Sequence, residues 1–364
     1  GNVYRELGEL DRAVKCYKKA LTIKPDFVEV YYNLGITFQE LGQLDFAINS
    51  YEEAIIIKPD YAEAHNNLGV AFKEIGKLDE AIESYTNSIT IDPNYAEAHN
   101  NLGVAFKEIG KLDEAIESHA NSVSIDPNHA EAYNNLGIVL LEVGRLDEAV
   151  ESFEKALLIN PNYIEVYNNL GVAFKELGLL SESLNSHARA IAIKPDYAEA
   201  LNNLGITLMD IGELDEAVKS YKSSLAAKPN YAYAYNNLGI ALNGLNRLDE
   251  ADKCFNSALS INSGYAEAHS NRGNLMIDFG QMNEALISYE RAQELKPDED
   301  YILGNVLFTK MHLCIWDDLS NHLNELRKKI NTNKKAIGPF ALMAMIDDPQ
   351  LHRKATEIYV NDKF

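Results

Sequence analysis

The sequence has little of what usually announces chemistry. Its 364 residues include three cysteines, Cys16, Cys254 and Cys314, too few for a disulfide framework. Such a count fits a reducing cytoplasm. No apolar run approaches the ~20 residues needed to cross a bilayer, and no secretory signal segment is legible. Positive charge is scarce: 33 Lys and Arg against 55 Asp and Glu leave a net charge of −22. This charge argues against a nucleic-acid partner, because cations must displace the counterions of a phosphate backbone. Anionic membrane surfaces are disfavoured for the same reason. There is no HExxH, no paired Cys-x-x-Cys, no G-x-S-x-G and no glycine-rich phosphate loop. Residues 1–299 show no catalytic constellation and no metal-ligand set, and nothing in the chain points to a cofactor.

What is present is a period. Pro25, Pro59, Pro93, Pro127, Pro161, Pro195 and Pro229 recur every 34 residues, and after Ser263 so does Pro297. Gly1, Gly35, Gly69, Gly103, Gly137, Gly171, Gly205, Gly239 and Gly273 form a second comb of the same spacing. A fixed period of this size means one supersecondary unit stacked many times.

Residues 62–95, numbered 1 to 34, serve as the type repeat. Apolar residues recur at helical spacing on both sides of Gly76, which predicts two antiparallel helices, from about Ala62 to Ile75 and from about Asp79 to Ile91. Gly76 reverses the chain, since glycine takes left-handed backbone angles without strain. Asp79 and Glu80 place negative charge at the positive end of the second helix. Pro93 ends it, because proline inside a helix costs about 3 kcal/mol. Gly69 and Ala81 let the two helices approach closely, with Leu68, Phe72, Leu78, Ile82 and Tyr85 filling the space between them.

This pattern resembles the tetratricopeptide repeat. Eight full repeats follow in register: 28–61, 62–95, 96–129, 130–163, 164–197, 198–231, 232–265 and 266–299. Residues 1–27 supply the rest of an earlier one, entered at its position 8. A chain that opens on glycine in mid-repeat implies native sequence upstream. The departures are Asn246 for the turn glycine, Ser183 for the alanine at position 20 and Ser263 for the proline. The resemblance implies an all-α fold, a right-handed superhelical solenoid of tetratricopeptide repeats, with a C-terminal helical capping segment.

One polar column stands out. Position 6 is Asn in all eight full repeats: Asn33, Asn67, Asn101, Asn135, Asn169, Asn203, Asn237 and Asn271. Position 5 is Asn in six of them. Asn is several tenths of a kcal/mol worse than Ala inside a helix, so its place there calls for a reason. A primary amide donates and accepts at once and can bond the main chain of an extended peptide whatever its sequence. With the first helix of each repeat on the inner face, the column becomes a ladder along a concave groove. The competing reading is that these amides brace neighbouring helices and were copied by duplication. Duplication is real, since Tyr61–Ser84 and Tyr95–Ser118 are identical. A carboxylate clamp of the chaperone-binding type is not expected, because position 5 is mainly Asn and position 9 mainly Val or Ile.

Charge follows the same period. Position 2 is Glu in seven of the eight full repeats, and position 13 is usually acidic, as at Glu74, Glu108, Glu142 and Asp210. Either this is a solvated face that complements helix dipoles, or it is a negative groove that favours basic or hydroxyl-rich peptides. The histidines fall on packing positions. His65, His99 and His269 stand at position 4, where Tyr31, Tyr133 and Tyr235 stand elsewhere. His119 and His187 stand at position 24 in place of Tyr or Phe, so both read as structural. Cys16 and Cys254 occupy position 23, which is Ser in most repeats, and read as small side chains.

From Asp300 the comb stops. Residues 300–331 still read as a helical pair, with Phe308 standing where the small glycine should be and so closing the solenoid. Asn331–Lys335 reads as a polar loop. Pro339–Ile346 reads as a short apolar helix begun by proline, and Pro349 starts another. Cys314 and Trp316 are expected to be buried packing residues, and His312, His322 and His352 show no partners. The string Leu303-Gly304, Met311-His312-Leu313-Cys314-x-Trp316-Asp317, Pro339-Phe340-Ala341-Leu342 and Asp347-Asp348-Pro349-x-Leu351 resembles the junction between repeats and catalytic region in bacterial family 41 glycosyltransferases. These are relatives of the nucleocytoplasmic O-linked N-acetylglucosamine transferase and of the plant SPINDLY O-fucosyltransferase. In that family the position-6 asparagines line the superhelix and grip protein substrates. The resemblance therefore implies that residues 1–299 recruit polypeptide, that 300–364 link to a catalytic region absent from this chain, and that a nucleotide sugar is used there. The alternative is a free-standing scaffold that assembles protein partners without enzymatic activity.

Overall fold

The computed structural model describes residues 1–363 and contains 22 helices, with no strand among those residues. It divides into two compact units, residues 1–186 and 187–364. Each unit is built from the same local element, and each is described by itself.

In the first unit the pairs are Val28–Glu40 with Leu44–Ile57, Ala62–Glu74 with Leu78–Ile91, Ala96–Glu108 with Leu112–Ile125, and Ala130–Glu142 with Leu146–Ile159. Short Asn2–Glu6 and Leu10–Ile23 precede them, and Ile164–Glu176 follows. The boundaries fall within a residue of the expected ones. Each pair is reversed by a glycine of left-handed conformation; Gly76 has φ +76°. The other comb of glycines does a different job. A Cβ on Gly69 would lie 2.6 Å from the ring of Tyr85, which is fully buried. Position 8 is therefore a seat for the aromatic ring at position 24. Where position 27 is Ser, the hydroxyl pins the start of its own repeat: Ser88 Oγ donates to the Ala62 carbonyl at 2.8 Å, and Ser122 Oγ to that of Ala96 at 2.8 Å.

The second unit repeats the scheme with Ala198–Asp210 and Leu214–Ala227, Ala232–Gly244 and Leu248–Ile261, and Ala266–Asp278 and Met282–Leu295. Its core joins Tyr221, Phe255 and Tyr289 with Leu242, Leu275 and Met276. Asn246 takes the turn position with φ 57°.

After the last repeat come Ile302–His312, Leu319–Asn331, Pro339–Met345 and Pro349–Lys363. Ile302 and Val306 extend the repeat core. On its other side the same helix meets a separate small core of Leu303, Leu307, Leu326, Ile330, Ile337, Leu342, Ile346 and Leu351. Gly304 makes this possible. Its N–H donates to the Ala336 carbonyl at 2.9 Å, and a Cβ there would lie 2.6 Å from Ile337.

Two expectations about this segment are corrected. The residue on the glycine comb is Leu307, one residue before Phe308; Leu307 is 1% exposed and fills the cap core, whereas Phe308 is half-buried against the His312 ring. Cys314 and Trp316 are not buried: Cys314 is exposed and Trp316 is 53% exposed. The reason is again register. Cys314 lies 34 residues after Gly280, on the turn comb, and has φ 58° where Gly280 has φ 72°. A residue that reverses the chain faces solvent.

Candidate polypeptide-binding face

The two asparagine columns are structurally unequal. Asn66, Asn100, Asn134, Asn168, Asn202 and Asn236, at position 5, are all buried. The position-6 residues Asn33, Asn67, Asn101, Asn135, Asn169, Asn203, Asn237 and Asn271 are all half-buried. In the first unit, Asn101 Nδ2 donates to Asn66 Oδ1 at 3.0 Å, Asn135 to Asn100 at 3.1 Å and Asn169 to Asn134 at 3.0 Å. The second unit does the same, with Asn237 donating to Asn202 at 3.1 Å and Asn271 to Asn236 at 3.0 Å. Each bond joins one repeat to the repeat before it.

Where position 5 is not Asn, the bond changes partner. Asn67 donates to the hydroxyl of Tyr32 at 3.0 Å. Asn33 donates to the Glu29 carbonyl at 2.6 Å, and its oxygen accepts from Arg5 at 3.2 Å. The brace thus uses both columns, one as donor and the other as acceptor. The buried column is a receptor for its neighbour. The half-buried column spends one N–H inside the fold, which fixes the plane of the amide. Among the described residues no bond is made by the side-chain oxygen of Asn101, Asn135, Asn169 or Asn271. Each of these retains an acceptor and a second donor. Sequence reasoning missed the coupling, although Asn at two adjacent positions with a 34-residue period carried its signal.

Around Asn101 the face forms an open depression of about 470 Å³, lined also by Val70, Glu97, Asn100, His129 and Glu131. Positions 2, 6, 9 and 34 therefore share one surface. The two acidic columns differ as well. At position 13, Glu74 accepts from Gln39 at 2.7 Å, Glu142 lies 3.8 Å from Lys107 and Asp278 accepts from Asn243 at 3.3 Å. That column ties repeats together. At position 2, Glu63, Glu97, Glu131, Glu165 and Glu267 are exposed. Its charge faces solvent, except at half-buried Glu199, which accepts from Lys228 at 2.7 Å.

The histidines serve the fold. His65, His99 and His269 meet the carbonyls of Pro59, Pro93 and Ser263 through Nε2 at 3.0, 3.1 and 3.1 Å. His119 is fully buried against Gly103, and its Nδ1–H donates to Asn100 Oδ1 at 3.0 Å. Burial first, then the neighbouring His129 and Lys107, push its pKa down to about 4. His312 and His352 do have partners, the carbonyls of Phe308 at 2.8 Å and Ile346 at 2.6 Å. Burial pushes the Cys254 thiol up to about 11, which keeps it protonated and unreactive. Among the described residues no group of His, Cys, Asp and Glu is placed to hold a metal ion, and no helix is long and apolar enough to cross a membrane.

Comparison with known proteins agrees with this anatomy. A profile described as TPR repeat matches residues 1–42, 37–76, 71–110 and 105–144. Profiles described as tetratricopeptide repeat match 130–163, 196–263 and 266–299. No curated protein matches the chain. Among solved structures, the chain is similar to MamA, with 30% identity over 46% of this chain and 97% of that one at a TM-score of 0.43. It is similar to YrrB, described as a TPR protein with an unusual peptide-binding site, with 20% identity over 50% and 95% at a TM-score of 0.45. Over a longer stretch it shares its fold with the APC/C hetero-tetramer Cut9–Hcn1, with 16% identity over 85% and 74% at a TM-score of 0.57. Helix pairs in register, glycine seats for buried rings and profile matches over most of its length lead to one conclusion: the chain belongs to the tetratricopeptide-repeat family.

Proposed function

We propose that this chain is a polypeptide-binding arm that holds an extended, Ser/Thr-bearing segment through the position-6 asparagines and recruits it for a protein O-glycosyltransferase. Protein–protein interaction follows from the repeats themselves. The observation that carries the peptide reading is the half-spent amide. One N–H of each of Asn101, Asn135, Asn169, Asn237 and Asn271 is bonded to the preceding repeat. An amide fixed in this way loses less rotamer entropy when it meets a guest. Held at 34-residue intervals on stacked helices, these groups bond main chain, and the side chains of the guest go unread. Proximity is what such an arm contributes to catalysis.

The enzymatic half of the proposal has separate support, the likeness of residues 303–351 to the linker of family 41 glycosyltransferases. The two halves are tested separately. Fluorescence anisotropy with a labelled Ser/Thr-rich peptide tests the first: Asn101→Ala, Asn135→Ala and Asn169→Ala combined should weaken binding strongly. Equal affinity in that variant would count against the ladder. Reading the coding sequence past Phe364 tests the second. A catalytic α/β region there supports the glycosyltransferase, and a stop codon favours a free-standing scaffold.

A further inference from the structure

Position 2 breaks its pattern once. Seven of the eight full repeats have Glu there, and the eighth has Tyr233. Tyr233 is 57% exposed. Its ring centroid lies 6.1 Å from that of Tyr231 and 5.0 Å from that of Tyr265. Tyr231 closes the preceding repeat and Tyr265 closes its own. Three phenol rings therefore gather in the second unit where other repeats present a carboxylate.

Rings at position 34 elsewhere show what such a surface holds. Lys24 stands 4.7 Å from the centroid of Phe27, Lys58 4.6 Å from Tyr61, Lys194 5.4 Å from Tyr197 and Lys228 4.7 Å from Tyr231. In each case the lysine is position 31 of the same repeat. The repeat that ends at Tyr265 has Asn262 at that position. Among the described residues no cation lies over the ring of Tyr233 or Tyr265. Glu267 stands beside them, with its carboxylate 3.5 Å from the Tyr265 hydroxyl. An aromatic face attracts cations through its quadrupole, and the carboxylate adds charge of the right sign.

We propose that Tyr233, Tyr265 and Glu267 form a subsite for a lysine or arginine side chain of a bound polypeptide. The subsite rests on the peptide-binding reading above and deepens it. The asparagines bond main chain without regard to sequence, whereas this site selects a basic residue at one register. The net charge of −22 favours the same class of partner over long range.

The test uses two labelled Ser/Thr-rich peptides that differ at one central residue, Arg or Gln, and a third with Pro there. Wild-type protein should prefer the Arg peptide by about two- to fivefold, the range for an exposed cation–π contact. Tyr233→Ala should reduce that preference at least twofold and leave the Gln peptide unaffected, while Tyr233→Phe should keep it. Equal affinity of wild type for the Arg and Gln peptides would overturn the subsite. So would equal loss of both in Tyr233→Ala, or preference for the Pro peptide, which would mark a polyproline platform. If no peptide binds, the ladder reading fails. The subsite is then decided by titrating N-acetyl-arginine methylamide while following the Tyr233 and Tyr265 ring resonances by NMR. Shifts of those rings, lost with the glutamine analogue, would sustain it; unmoved rings would end it.

Discussion

The last repeat and the helix pair that follows it use nearly the same parts to opposite ends. In helices Ala266–Asp278 and Met282–Leu295, Gly273 seats the ring of Tyr289, and the next repeat could stack on the result. In helices Ile302–His312 and Leu319–Asn331 the register continues for one more period, but Leu307 stands at the seat and Cys314 at the turn. The close approach moves three residues earlier, to Gly304, and its partner is the segment Ala336–Ile337 instead of an aromatic ring. The seat decides whether a helix pair propagates the stack or folds on itself. Without a seat, apolar side chains on the far side of Ile302–His312 find a core of their own, and propagation ends.

The sharpest way to break this comparison is to empty each region of its large aromatic. Tyr289 is 3% exposed and sits on the Gly273 seat, so Tyr289→Ala should cost about 3–5 kcal/mol. Trp316→Ala should stay within about 0.5 kcal/mol, because Trp316 is 53% exposed. Urea melts of the two variants check both figures. A large loss at Trp316 would show that the cap depends on it.

Acid comes next. Burial holds His119 at about 4, well below its usual range. Above about pH 6.5 the ring is neutral in folded and unfolded chains alike, so it has no effect on stability there. As pH falls from about 6.5 to about 4 the unfolded chain takes up the proton first, and stability is lost by up to about 3 kcal/mol. His119→Phe should flatten the melting temperature against pH across that window, and the site should accept the ring because Phe153 fills the same position of the next repeat. An unchanged slope would contradict the assignment.

Adding a methyl at the close approach of the cap sharpens the comparison further. Gly304→Ala should cost about 1–3 kcal/mol, because backbone at Ala336 lies 2.8 Å from the new atom and cannot give way as a side chain can. The smallest effect has the opposite sign. Cys314→Gly should stabilise by about 1 kcal/mol, since Cys314 holds a left-handed angle of φ 58° that glycine adopts freely. Thermal melts distinguish the two directions.

How much of this was legible beforehand depended on whether the period applied. Helix boundaries, turn glycines and the packing role of His119 followed from repetition, since each position was seen several times. Gly69 was legible as a close contact, but its ring partner Tyr85 was only one of five candidates. The asparagine bracing was legible only as a competing reading, because a pattern gives spacing but not which amide faces in. In the cap the period persists for one more repeat, hidden because neither comb glycine is kept. Extended by 34, it places Leu307 in the core and Cys314 in a turn, whereas the apolar character of Cys314 and Trp316 alone points to burial. Gly304 and its contact with Ala336 had no signal in the sequence, because that contact joins segments about 30 residues apart without a repeat to reveal it.

The account turns on the division between the two asparagine columns, and one comparison measures it directly. Peptide affinity and melting temperature should be determined together for Asn101→Ala/Asn135→Ala/Asn169→Ala and for Asn66→Ala/Asn100→Ala/Asn134→Ala. The half-buried set should lose most of its peptide affinity, whereas the buried set should lose more stability and bind peptide nearly as well while folded. If the half-buried set binds peptide as tightly as the unaltered protein, the outer column is bracing alone and the ladder does not exist.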